Sequence, residues 1–322
     1  MIVIKIRSLP FYAFLESFFI VKLIDLLKSV NSALVVGIGG GGDVVSAIYV
    51  KNFIEKFEVE CVLGGVVWER IRRDKKPGPA ALEEISGVER VNDCLGWLKG
   101  GETINGVELI CSKVAGFLGE KVLALDITKG AEILRKSLAE FLKEHEFDLI
   151  FAVDAGGDSI ARGCEKNLTS PLADSVAIAS LRDFEVILAI VGFGSDGELS
   201  RFEIEKYLSE DHDALLGVSL VEWNENLENF VFSVETESSK IPLLASKGYF
   251  GKYRFWGELD IDVSVLNALV FYLDLKRIYN KLLAKNVENT FSIWEANEKL
   301  HEIGIKTELD LELEIAKREG LL

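Results

Sequence analysis

Apolar residues in this chain fall into short continuous runs rather than into alternating ones. They lie at 32–38 (SALVVGI), 60–67 (ECVLGGVV), 121–126 (KVLALD), 148–153 (DLIFAV), 185–191 (EVILAIV) and 214–220 (ALLGVSL). A run of that length without alternation is what a strand covered on both faces requires. Between the runs the apolar positions recur at helical spacing: after Asp43 to about 57, and over about 129–144, 172–181 and 200–209. Strands alternating with helices predict right-handed crossovers and a doubly wound, Rossmann-like, mostly parallel sheet of three layers. Its minimum is five strands, among them 32–38, 121–126, 148–153 and 185–191.

The rhythm breaks over 68–120, where a basic, proline-containing stretch (WERIRRDKKPGP) precedes a hairpin, ETI-NG-VELI, turning at Asn105-Gly106. Asn-Gly supplies the positive φ angles of a type I′ turn. This insertion is expected to fold as loops over one end of the sheet. Beyond about residue 250 the pattern changes again, with helices expected at about 263–284 and 290–322. The division is therefore an α/β ligand-binding domain, 1–250, and a helical C-terminal extension, 251–322, packed on it. The early apolar stretch from Phe11 to Leu27 is interrupted by Glu16, Lys22 and Asp25, which argues for a buried or oligomer-contact helix, and so leaves a homo-oligomer open, rather than a membrane span or a cleavable signal.

Strands that point the same way deliver their following turns to one edge, where ligands bind doubly wound folds. Three such turns are alike here: GIGGGGD ending at Asp43, DAGGDSIARG with Asp154, Asp158 and Arg162, and GFGSDGE with Asp196 and Glu198. Each alone is explained by a tight turn that needs glycine and an aspartate that caps a helix. Three on one edge, two sharing Gly-Gly-Asp, point to a single shared site. Gly39, Gly40, Gly41, Gly42, Gly156 and Gly157 would cradle an anion through their amides, with Arg70 and Arg162 neutralising its charge. Asp43, Asp158 and Asp196 would hold a metal ion, and Asp154, Asp158 and Asp196 would carry catalysis. The three histidines, His145, His212 and His301, lie away from these loops, so a Ser/His/Asp triad built on Ser159 or Ser195 is not expected. Oxygen ligands point to Mg²⁺, Mn²⁺ or Ca²⁺ rather than to zinc.

Gly37, Gly39 and Gly42 also satisfy G-x-G-x-x-G between a strand and a helix, which keeps an NAD(P)-dependent oxidoreductase as an alternative. Against it, Asp43 follows the last glycine, where a carboxylate repels pyrophosphate. The next promising acid, Glu69, comes later than the usual spacing.

The balance of 52 acidic against 36 basic residues, a net charge of −16, excludes general binding to nucleic acid or anionic lipid. Any anionic ligand must be held by a local device. Cys61, Cys94, Cys111 and Cys164 show neither paired nor metal-ligand spacing, as expected of reduced cysteines in a cytoplasmic protein. Glutamine is absent and Glu and Lys are abundant, a composition expected of proteins from hot environments.

Taken together, GIGGGGDVVSA, WERIRRDKKPGP, VDAGGDSIARG with its continuation SPLADS, and GFGSDGEL resemble a mainly archaeal family catalogued as a domain of unknown function. The likeness extends over about residues 34–200, with looser similarity beyond. It supports these residues as a site and implies no substrate. The reading is of an enzyme acting on a small phosphorylated or nucleotide-like metabolite with a divalent cation, or else a non-catalytic module that senses such a molecule.

Overall fold

In the computed structural model, which describes residues 19–255 and 259–321, the apolar runs pair into one sheet. Its strands are β1 (Ser32–Gly37), β2 (Glu60–Val66), β3 (Glu89–Arg90), β4 (Leu95–Leu98), β7 (Val122–Leu125), β8 (Leu149–Ala155), β9 (Val186–Val191), β10 (Leu215–Leu220) and β13 (Leu269–Asp274). The order is β10-β13-β9-β8-β1-β2-β7-β4-β3. The five central strands, β9 to β7, are parallel. Both flanks are antiparallel. Two separate ribbons are β5 (Thr103–Ile104) with β6 (Val107–Glu108), and β11 (Gly251–Phe255) with β12 (Leu259–Val263).

Each central strand is buried because each is covered twice. Along β1, Leu34 and Val36 point into one apolar core with the helices Gly130–Glu144 and Pro171–Leu181. Ala33 and Val35 point into the other, with the helix Asp43–Ile54. The alternation of a pleated strand thus feeds two cores at once, and this is why the sequence shows continuous rather than alternating apolarity.

From β1 the chain steps outward through β2 to β7, then returns to place β8 on the other side of β1 and β9 beyond it. The β1–β8 junction is the topological switch point, where loops leaving adjacent strands diverge and open a crevice. The loops after β1, β8 and β9 are the three Gly/Asp turns, so the topology sets them side by side.

Two departures from the sequence expectations concern the flanks. The segment expected to be helical over about 263–284 contains β13, which inserts antiparallel between β9 and β10. LVFYLD is a short apolar run that periodicity alone cannot distinguish from a buried helix. The vacant edge of β9 decides it. Likewise the 68–120 insertion is more than loops. It adds β4 and β3 to the far edge and a helix, Ile110–Leu118, to one face. The hairpin turn forms as read, with Asn105 at φ 50° and Gly106 at φ 78°. Of the early apolar stretch, Phe19–Leu27 is a helix packed on β10. The part from Phe11 to Phe18 lies outside the described residues. No described helix is long and apolar enough to cross a membrane.

Candidate functional site

Asp43 is the first residue of the helix that follows β1, and its side chain turns back over the glycine loop. Its Oδ2 accepts the Gly39 N–H at 2.8 Å. Asp154, near the end of β8, accepts the N–H groups of Gly157 (3.3 Å) and Ser159 (3.1 Å), and the Ser159 hydroxyl. Asp174 comes from a third element, the first turn of the helix Pro171–Leu181. One carboxylate oxygen from each of Asp43, Asp154 and Asp174 lies within 4.8 Å of the others. All three residues are buried. Asp174 is 4% exposed, and its Oδ1 has no hydrogen-bond partner.

A buried carboxylate oxygen without a donor is costly unless a proton or a cation completes it. Burial is the main reason that all these acids hold their protons more tightly than usual, with like charge adding to it at Asp43 and Asp174. Asp43 is pushed up to about 8, by burial and then by Asp154, against the opposing pull of Arg70. Asp154 is raised by burial. Asp174 is raised well above the carboxylate range by burial, Asp154 and Asp43.

Beside the triad stands a second acidic group. Asp158 is raised strongly by burial and by Asp174 and Glu198, and Asp196 by burial and Glu198. Glu198 is held by the N–H groups of Thr169 (2.7 Å) and Ser170 (2.9 Å), and its own N–H donates to Asp196 Oδ1 at 3.0 Å. Asp196 Oδ2 is a second buried oxygen without a partner. The loop can bring Asp196 so close to β8 only because residue 156 is glycine. Gly156 has φ 140°, and a Cβ there would collide with the Asp196 carboxylate. Gly156→Ala is therefore expected to displace Asp196 and to destabilise the fold by about 1–3 kcal/mol, measured by chemical denaturation.

The two groups face a cavity of about 460 Å³. Gly39, Gly40, Gly41, Gly42, Asp43, Arg70, Asp158 and Asp196 line it, as do Asp174, Glu198, Thr169 and Ser170. Asp154 joins them through the triad. Gly156 and Gly157 do not line the cavity; they shape the β8 turn that lets Asp196 and Asp154 approach. Arg162 is placed elsewhere. Its guanidinium lies 4.1 Å over the Tyr207 ring and pairs with Glu210 and Asp211. No histidine is among the lining residues.

Arg70 has a strained backbone, φ 62° and ψ 139°. Its neighbours hold it there. The Glu312 carboxylate accepts the indole N–H of Trp68 (3.0 Å) and the N–H groups of Ile71 (3.3 Å) and Gly78 (2.8 Å). The guanidinium packs 4.7 Å over the Trp68 ring and against Gly40, where a Cβ would stand 2.6 Å from its Cζ. Its Nη1 is 3.7 Å from Glu308, an ion pair too long for a hydrogen bond, and is buried without a hydrogen-bond partner. Glu308 itself accepts the N–H groups of Leu172 and Ala173 at the start of the Asp174-bearing helix. The C-terminal helix Glu308–Glu319 thus joins the Arg70 segment to the acidic triad.

Asp174, Glu308 and Glu312 were not singled out by sequence reasoning. One signal for Asp174 was available: it is a lone acid in the apolar helix PLADSVAIASL, whose residues are all buried. A buried charge in such a helix demands a partner.

A family model for proteins of unknown function, DUF1152, matches residues 34–316. The chain belongs to this family. The match runs from β1 into the helix Glu308–Glu319 and so spans every acidic residue of the site and both arginines, Arg70 and Arg162. No curated protein and no solved structure matches the chain.

Proposed function

We propose that this DUF1152 protein is an enzyme that acts on a small phosphorylated or nucleotide-like metabolite through a divalent cation, Mg²⁺ or Mn²⁺. The observation that carries the reading is the buried triad of Asp43, Asp154 and Asp174, whose oxygens converge within 4.8 Å while Asp174 Oδ1 lacks any donor. Three carboxylates at that separation repel one another, and an oxygen-seeking cation is the group that would turn the repulsion into binding. The sequence favoured Asp43, Asp158 and Asp196 as ligands. The geometry favours Asp43, Asp154 and Asp174, with Asp158 and Asp196 beside them and available to orient or deprotonate an attacking water.

An anion enters so acidic a cavity only with charge compensation. The cation and the Arg70 guanidinium, which lines the cavity, would supply it, and positioning plus charge neutralisation accounts for most catalysis in phosphoryl chemistry. The same geometry disfavours a dinucleotide, because the Asp43 carboxylate already occupies the Gly39 amide that a pyrophosphate would need.

Titration of Mn²⁺ by electron paramagnetic resonance tests the reading, followed by turnover assays on a panel of phosphate esters. We expect one tight Mn²⁺ site per chain. We also expect the Asp158→Asn variant to lose turnover while keeping or raising its melting temperature, since it removes repulsion from a crowded buried group. Stabilisation by NAD(P) without metal, and no Mn²⁺ binding, would instead favour the oxidoreductase. Binding of a metabolite without turnover would favour a sensing module.

A further inference from the structure

Aliphatic side chains line the cavity as well as acids. The C-terminal helix presents Glu308, Leu311, Glu312 and Ile315 to it, a stripe at spacings of three and four residues. Glu308 and Glu312 are satisfied by the backbone and by Trp68. Leu311 is satisfied by nothing comparable and is 40% exposed. With Ile315 on the same stripe, and with Ile71 and Ile110 also in the lining, it gives the cavity an aliphatic lining beside its carboxylates. A cation and a phosphate do not need such a lining. A volume of about 460 Å³ falls in the range that encloses a whole organic molecule rather than an inorganic ion.

We propose that the ligand is an organic phosphate bearing an uncharged apolar group, with the phosphate at the cation and the apolar group against Leu311, Ile315, Ile71 and Ile110. This rests on the cation reading of the same site. The phosphate is held near the Arg70 guanidinium, which lines the cavity. The apolar group gains from leaving water, each buried methylene being worth about fourfold in affinity. A sugar phosphate, polar throughout, would leave its hydroxyls facing aliphatic side chains and gains nothing there. A planar nucleobase and a short alkyl chain share the chemistry that this lining recognises.

The experiment measures binding by calorimetry in the presence of saturating Mn²⁺, using inorganic phosphate, ribose 5-phosphate, adenosine 5′-monophosphate and isopentyl phosphate. Mn²⁺ binding is recorded separately by electron paramagnetic resonance. The expected result is that one or both of the last two bind at least tenfold more tightly than ribose 5-phosphate. Preference for the first of that pair identifies a base, and preference for the second an alkyl chain. Leu311→Ser and Ile315→Ser should each erase most of that advantage and leave Mn²⁺ binding unchanged. Leu311 is exposed enough that its replacement does not open the core. Equal affinity for the polar and apolar phosphates, or serine variants that keep the full preference, would overturn this inference while the cation site stood. Failure of the wild-type protein to bind Mn²⁺ would overturn the cation reading and this inference with it.

Discussion

Replacing Asp174 by asparagine is expected to weaken Mn²⁺ binding by on the order of 100-fold or more, and at the same time to make the metal-free protein more stable at neutral pH. The first effect follows from removing a ligand. Disturbing a residue that merely orients a ligand already costs about 10–100-fold, and losing one of three carboxylates should cost at least as much. The second follows from where Asp174 sits. It is 4% exposed, beside Asp154 and Asp43, with one oxygen unpartnered. The unfolded chain ionises this residue freely while the folded chain resists, and asparagine removes that difference. Asparagine and aspartate both serve at helix starts, so a purely structural aspartate would be replaced with little change in metal affinity. Equal Mn²⁺ affinities for wild type and variant would remove Asp174 from the proposed site.

The stability of the metal-free protein should fall as pH rises from about 5 to about 8, once carboxylates that the fold holds low, such as Glu132 and Glu102, are ionised in both states. Asp43 has an ordinary value of 3.8 and is raised to about 8 in the fold. Below pH 4 it is protonated in both states, and its contribution is fully retained. Between the two values the unfolded chain releases the proton and the native chain keeps it. The native state then binds more protons, and unfolding becomes easier by about 1.4 kcal/mol per pH unit for one such group. Above pH 8 both states are ionised and the loss stops growing. Asp154, Asp158, Asp174 and Asp196 are shifted in the same direction, so they add to the slope with the same sign. A bound cation takes the place of the protons. Saturating Mn²⁺ should therefore flatten the curve, with its largest stabilisation at high pH, reaching about 2.7 kcal/mol at 100 times the dissociation constant. Denaturant melts from pH 5 to 9, with and without Mn²⁺, measure both arms. A metal-free protein whose stability rises across that window would mean that these carboxylates are not buried together.

Several features were legible in the chain because they are local. Continuous apolar runs such as LIFAV require a strand covered on both faces wherever it is placed, and the regular alternation with helical spacing requires parallel crossovers. The Asn105-Gly106 turn follows from backbone preferences alone. From a parallel sheet it follows in turn that loops after successive strands share an edge, and that alone groups residues as distant as Asp43 and Asp196.

What the sequence by itself could not determine was pairing between distant segments. LVFYLD reads equally as strand or helix, and only the open edge of β9 makes it β13. Arg162 follows a glycine-rich turn as a phosphate-binding arginine would, yet Glu210, Asp211 and the Tyr207 ring lie nearer and take it. Asp174 sits in the first turn of the helix that follows the β8 loop, in SPLADS and beyond the glycine turn itself, so the Gly/Asp pattern does not mark it. Glu308 and Glu312 reach the site from a helix more than 100 residues further along. Composition and local pattern fix which segments are strands and which turns bear charge, because those depend on neighbours a few residues apart. Which carboxylates come within 4.8 Å of one another depends on strand order and helix packing, and tertiary structure alone decides that.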